Sequence, residues 1–164
     1  MAALTSGKKA PEIKIPLLKG GTFSLHEALA RGPVVVAFFK INCPTCQYSF
    51  PFIERLYQAH KHSNVTIVGI SRNDDKNTEA FNQRFGVTFP VALDAKGFPA
   101  SNAYGLTNVP SIFLIAQDGT IEVSCVGWSR ADLEEIHTRL RGGHDNVPPE
   151  LWQKTESVLE FKAG

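Results

Sequence analysis

Three cysteines, one methionine and no long apolar run mark what this 164-residue chain has little of. Three cysteines are too few, and too unevenly placed, for a disulfide framework. No stretch of about 18 apolar residues is present to cross a membrane. The opening MAALTSGKKAPEIK also lacks the apolar core of an export signal, so the expectation is a soluble cytoplasmic protein with no membrane partner. Excess charge is missing too. The 17 Lys and Arg face 16 Asp and Glu, which leaves no electrostatic footprint for nucleic acid. Structural zinc normally takes four ligands, and a second CxxC or CxxH pair is absent, so no metal is expected. What remains is a chain that is 43% hydrophobic and long enough to bury one core without covalent staples.

The order of segments is readable from periodicity. A leading stretch has a short strand near Ile13 and a turn at Gly20-Gly21. Ser24 and Glu27 have the spacing of a capping box that opens a short helix to about Ala30, closed by Gly32-Pro33. Val34 to Phe39 reads VVVAFF, the continuous apolar run of a central strand covered on both faces. Behind Cys46, Phe50, Ile53, Leu56 and Tyr57 recur at helical spacing, with Pro51 expected to kink that helix. Val65 to Ile70 is a second apolar strand, 74–85 a helix ending at Gly86, and Val91 to Leu93 a further strand. A connector from Asp94 to Tyr104 has room for a helical turn. Ser111 to Ala116 and Thr120 to Val126 flank Asp118-Gly119, a hairpin signal, and Arg130 to Arg141 is an amphipathic helix. Strands separated by helices early and a hairpin late specify an α/β sandwich with a mixed sheet. Residues 142–164 read as a partly helical appendage starting near Pro148-Pro149, in which Trp152, Val158, Leu159 and Phe161 cover a core edge.

Chemistry concentrates at Cys43-Pro44-Thr45-Cys46. Pro44 suits the first turn of a helix, where its missing amide donor is no loss. Residues i and i+3 share a helix face, so the two sulfurs are close enough to form a small disulfide ring. Cys43 at the helix start meets free backbone amides and the positive dipole end, which favours its thiolate and makes it the attacking thiol. Cys46, one turn in, is placed to resolve a mixed disulfide. Metal binding and inert packing are the rival readings; His60 and His62 lie too far along the helix to complete a zinc site. Cys125 alternates with Ile121 and Val123 along a strand and reads as a buried small hydrophobe. The five histidines show no nucleophile-base or metal arrangement.

Taken together, GKKAPEIKIPLLKGGTFSLHEAL, VVVAFFKINCPTCQYSFPFIERL, Val109-Pro110-Ser111 and LIAQDGTIEVSCVGW resemble the thioredoxin superfamily. The resemblance is strongest to TlpA/ResA-like redoxins related to the AhpC/TSA group and runs from about Gly7 to Arg141. It implies a thioredoxin-like three-layer sandwich, a central mixed β-sheet flanked by helices, with a redox domain over 1–141 that includes an N-terminal extension. The implied activity is thiol-disulfide exchange with protein disulfides or dithiols, sustained by an upstream thiol reductant or reductase, without a cofactor. Cys43 would then be the nucleophile, Cys46 the resolving thiol and Pro110 a cis proline beside them. Val109 would offer its backbone to an extended substrate. Read without the resemblance, Pro110 is an ordinary strand-start proline.

Several positions depart from that pattern. Asn42 stands where tryptophan usually precedes the first cysteine, Ala37 where thioredoxins bury an aspartate, and Ser49 where ResA-like proteins often carry a glutamate. Neither usual carboxylate is there to take the resolving thiol's proton. Lys40, three residues before Cys43, is a candidate electrostatic modulator and equally a solvent-facing lysine. A peroxiredoxin-like peroxidase is the alternative enzyme. Its PxxxTxxC pattern would need Pro and Thr where Val36 and Lys40 precede Cys43, or where Phe39 and Cys43 precede Cys46. A non-enzymatic redox sensor using the same disulfide is the other alternative.

Overall fold

Every residue of the run Val34–Phe39 (β3) is buried, because this strand is the middle of a five-stranded sheet. In the computed structural model, which describes residues 3–164, the order is β5–β4–β3–β6–β7. β4 (Thr66–Ser71) and β5 (Val91–Leu93) run parallel to β3, while β6 (Ser111–Ile115) and β7 (Ile121–Val126) form the antiparallel half. The sheet is therefore mixed. Alternation along β3 sends successive aromatics to opposite faces. Phe39 meets Phe50 of α2 (Pro44–His60) and Phe81 of α3 (Asp75–Phe85) at 4.3 and 4.8 Å between ring centroids. Phe38 meets Phe113 and Tyr104, the residue closing α4 (Pro99–Ala103), on the other side. The result is the helix–sheet–helix sandwich of a thioredoxin-like fold.

Local chemistry fixes the ends of the helices. Asp74 accepts from Asn77 N–H at the start of α3, and Gly86 at φ 68 closes it. Ser24 caps α1 (Leu25–Leu29) by accepting from Glu27 N–H, but Glu27 does not complete a capping box. Its place is taken by Glu12, which accepts from the Ser24 hydroxyl and from the His26 and Ile13 amides. A carboxylate from the segment before β1 (Lys14–Pro16) thus ties that segment to the helix which follows β2 (Thr22–Ser24). Helix α2 continues through Pro51 to His60.

The end of the chain departs from expectation. Among the described residues, 142–164 contain no helix. Gly142 ends α5 (Arg130–Arg141), and the paired Pro148-Pro149 contribute no amide donors, so the segment takes its partners from the rest of the fold. Arg141 Nε donates to the Val147 carbonyl, Arg55 clamps the Glu156 carboxylate with two N–H groups, and Trp128 Nε1 donates to the Leu159 carbonyl at 2.6 Å. Phe161–Lys162 (β9) then pair antiparallel with Trp128–Ser129 (β8). Val147, Trp152 and Val158 are buried, whereas Leu159 and Phe161, expected to cover a core edge, are exposed.

Two histidines without partners in the sequence reading are joined by the packing of α2 on α5. His60 Nε2 lies 2.9 Å from His137 Nδ1, and His137 Nε2 lies 2.7 Å from the Pro148 carbonyl. The carbonyl can only accept, so His137 carries its proton on Nε2, and His60 must donate to the bare Nδ1. Both rings are neutral in this arrangement. Burial, then the neighbouring His137 and His144, lower the His60 pKa from 6.5 to about 4. Burial lowers that of His137 too, with the charge of Arg141 adding to it and the bond to Pro148 opposing it. The unfolded chain therefore binds more protons between those values, and stability present above pH 6.5 is lost as pH falls toward 4. Urea unfolding at pH 7.5 and 4.5 is expected to show His60→Gln losing less stability than wild type on acidification. The difference should be on the order of 2 kcal/mol. Equal losses in the two proteins would remove the pair as an acid-sensitive element.

Candidate active site

β3 ends at Phe39 and α2 begins at Pro44, so the loop between them sits at the C-terminal edge of the central strand. Side chains the sequence reading did not single out pin it there. Asn73, just past β4, accepts from Ile41 N–H at 3.0 Å, and Gln47 donates its side-chain amide to the Ile41 carbonyl at 2.9 Å. No short-range pattern signals the Asn73 contact, which spans two strands; Gln47 is the residue after the second cysteine.

Cys43 is the N-cap of α2, with extended backbone at φ −92 and ψ 115. Its sulfur accepts the Cys46 amide at 3.1 Å, so the helix's unpaired donors point at the atom that must carry negative charge during attack. The same sulfur lies 3.4 Å from the Val109 carbonyl, to which the thiol donates. Cys43 is partly exposed between exposed Asn42 and exposed Pro44. Cys46 is wholly buried. Both thiols are free.

Burial is the main force on Cys46, pushing its pKa far above the ordinary thiol range, and the hydrogen bond to Cys43 pushes the same way. The backbone and charge of Lys40 pull in the opposite direction. Ala37 is buried in β3, and the Ser49 hydroxyl is spent on the Thr45 carbonyl at 2.6 Å, so neither position offers a carboxylate to take the Cys46 proton. Cys125 lies in the core; burial, with Asp132 adding to it, raises its pKa to about 12. Its burial and raised pKa both disfavour the thiolate, which is the reactive form.

Across from the cysteines, the Val109–Pro110 peptide is cis and both residues are buried. Part of the cover is the end of the chain. Thr45, between the two cysteines, donates to the Ala163 carbonyl at 2.6 Å, and Asn108 donates to the Gly164 carbonyl at 3.2 Å. The described residues contain no group of three or more His, Cys, Asp or Glu placed to hold a metal ion.

Comparison with known proteins agrees with the geometry. A model of the AhpC/TSA family matches residues 6–124. The thiol-disulfide oxidoreductase ResA of Halalkalibacterium halodurans is 31% identical over 133 residues, covering 80% of this chain and 74% of that protein. The thioredoxin domain of a thiol-disulfide oxidoreductase from Bacteroides vulgatus superposes with a TM-score of 0.71 at 22% identity, covering 85% of this chain and 97% of that one. A secreted Mycobacterium tuberculosis disulfide oxidoreductase homologous to E. coli DsbE gives 0.67 at 23% identity, covering 77% and 95%. The expectation of a cytoplasmic protein is overturned by relatives of this kind that work outside the cytoplasm, the secreted Mycobacterium tuberculosis oxidoreductase among them. Charge balance and the absence of an apolar run describe how a domain meets water, and water lies on both sides of a membrane.

Proposed function

Since the chain belongs to the AhpC/TSA family and is a thiol-disulfide oxidoreductase acting through Cys43 and Cys46, we propose that its substrates are extracytoplasmic protein disulfides. Cys43 attacks and Cys46 resolves. The observation that carries this order is the contrast between a partly exposed Cys43 sulfur facing a helix amide and a buried Cys46 whose thiol holds its proton.

In the first step the Cys43 thiolate attacks one sulfur of the substrate disulfide, and the other sulfur leaves as a thiolate that takes a proton. Cys46 then attacks the Cys43 sulfur and loses its proton, releasing the second substrate thiol. Two electrons have moved from the pair to the substrate, leaving a Cys43–Cys46 disulfide. An external dithiol reductant closes the cycle. Val109 supports docking by offering backbone polar groups beside the attacking sulfur, with Pro110 shaping the loop; Asn42 lowers the apolar area next to Cys43. Lys40 assists the second step by opposing the burial of Cys46.

A peroxidase would need a hydroxyl at position 40 or 43 on the PxxxTxxC pattern, and those positions hold Lys40 and Cys43. The reduced protein is expected to reduce insulin disulfides with a dithiol reductant present, and to consume hydrogen peroxide no faster than an ordinary thiol. Rapid, saturable peroxide turnover that depends on Cys43, without insulin reduction, would reverse this assignment.

A further inference from the structure

Residues 161–164 run past Val109, the residue read above as the backbone partner of a substrate strand. Gly164 packs so closely on Val109 that a Cβ at position 164 would stand 2.3 Å from the Val109 carbonyl oxygen. Gly127, just past β7, also packs tightly on this segment: a Cβ there would stand 2.8 Å from the Lys162 carbonyl. Two glycines thus let three backbones meet at the mouth of the site. The Thr45–Ala163 and Asn108–Gly164 hydrogen bonds bridge the two walls, one on the cysteine helix and one on the cis-proline loop.

The tail is held unevenly along its length. Up to Glu160 it is anchored by the Arg55–Glu156 pair, by buried Val158, by Leu159 N–H on the Tyr48 hydroxyl at 2.9 Å, and by Arg130 N–H on the Glu160 carbonyl at 3.0 Å. Beyond Glu160 no side chain is buried, and Phe161 is 63% exposed. Two residues of strand pairing and two side-chain hydrogen bonds hold residues 161–164, with no apolar burial to make their release expensive.

We propose that residues 161–164 occupy the backbone-pairing position on Val109, so that a protein disulfide is reduced only after its strand displaces this tail, whereas a low-mass disulfide reaches Cys43 with the tail in place. This rests on the reading of Val109 as the substrate's backbone partner. The enzyme's preference between the two substrate classes is then set by the fraction of molecules with the tail open, which scales the apparent rate for the class that needs it open. A protein is the natural displacing partner. The large apolar side chains left exposed among the described residues are Val126, Leu159 and Phe161, all on the tail or on the strand end beside it.

The test compares kcat/KM for insulin and for 5,5'-dithiobis(2-nitrobenzoate) in wild type, Gly164→Ala and Asn108→Ala. The first variant forces a methyl against the Val109 carbonyl, and the second removes one latch. Asn108→Ala is expected to raise the insulin value about fivefold, the effect of losing one modest hydrogen bond from the closed state, and Gly164→Ala at least as much through the clash, while the aromatic disulfide changes less than twofold in both. An unchanged or lower insulin value at unchanged small-disulfide activity would overturn the proposal and leave the assigned function standing. An equal rise with both substrates would also overturn it, by showing a general shield over Cys43. Failure of wild type on both substrates would instead sink the functional reading itself.

Discussion

Cys43→Ser is expected to lower protein-disulfide reduction by at least about a thousandfold while leaving the fold intact. The two halves of that result come from different properties of one position. Chemically, the reaction needs a sulfur that is both a good nucleophile and a good leaving group, since Cys46 must later expel substrate from it. A serine hydroxyl at neutral pH is neither. Structurally, residue 43 is the N-cap of α2, and its side chain satisfies the Cys46 amide. Serine is among the preferred residues for that task, so the helix start should keep its hydrogen bond and the melting temperature should stay close to wild type. Insulin turnover and a thermal melt on the same sample check both halves. Loss of activity together with a large loss of stability would mean that Cys43 acts as a structural cap whose chemistry is incidental. Retained activity would move the attacking role to another thiol.

How much of this site was legible in the sequence depends on the distance over which each feature is encoded. The cysteine pair, its helix-start setting and the apolar run Val34–Phe39 are local patterns, and the structure places them as expected. The hairpin at Asp118-Gly119 is local too, with Gly119 at φ 90. Features carried by residues far apart were not legible. Glu12, not Glu27, closes the cap of α1 because the segment before β1 folds back onto it. His60 and His137 became a pair only when α2 and α5 packed together. The tail was misread for a related reason. Pro148-Pro149 suggested the start of a helix, but the segment finds its backbone partners on β8 and follows an extended path that ends against Val109. The compartment was not legible at all, since nothing in a folded domain's water-facing chemistry distinguishes one aqueous space from another.

Cys46→Ser should separate the two steps that Cys43→Ser removes together. The first exchange uses only the Cys43 sulfur, its helix amide and the Val109 loop, all of which remain; single-turnover attack on a protein disulfide is expected to stay within about fivefold of wild type. Resolution is lost, because the buried hydroxyl at position 46 cannot displace substrate from Cys43. Steady-state turnover should fall by about a thousandfold, and a substrate–enzyme mixed disulfide should accumulate at Cys43, visible by mass as a one-to-one adduct that reductant removes. Burial also predicts the labelling pattern of the wild type: a thiol held far above its ordinary titration range reacts slowly, so iodoacetamide at neutral pH should modify Cys43 ahead of Cys46 and Cys125. An adduct at position 125, or its absence despite normal first-step kinetics, would break the assignment of Cys46 as the resolving thiol. The identity of the trapped proteins discriminates further. Many partners would mark a general reductase, and one dominant stoichiometric partner would mark a sensor built on the same disulfide.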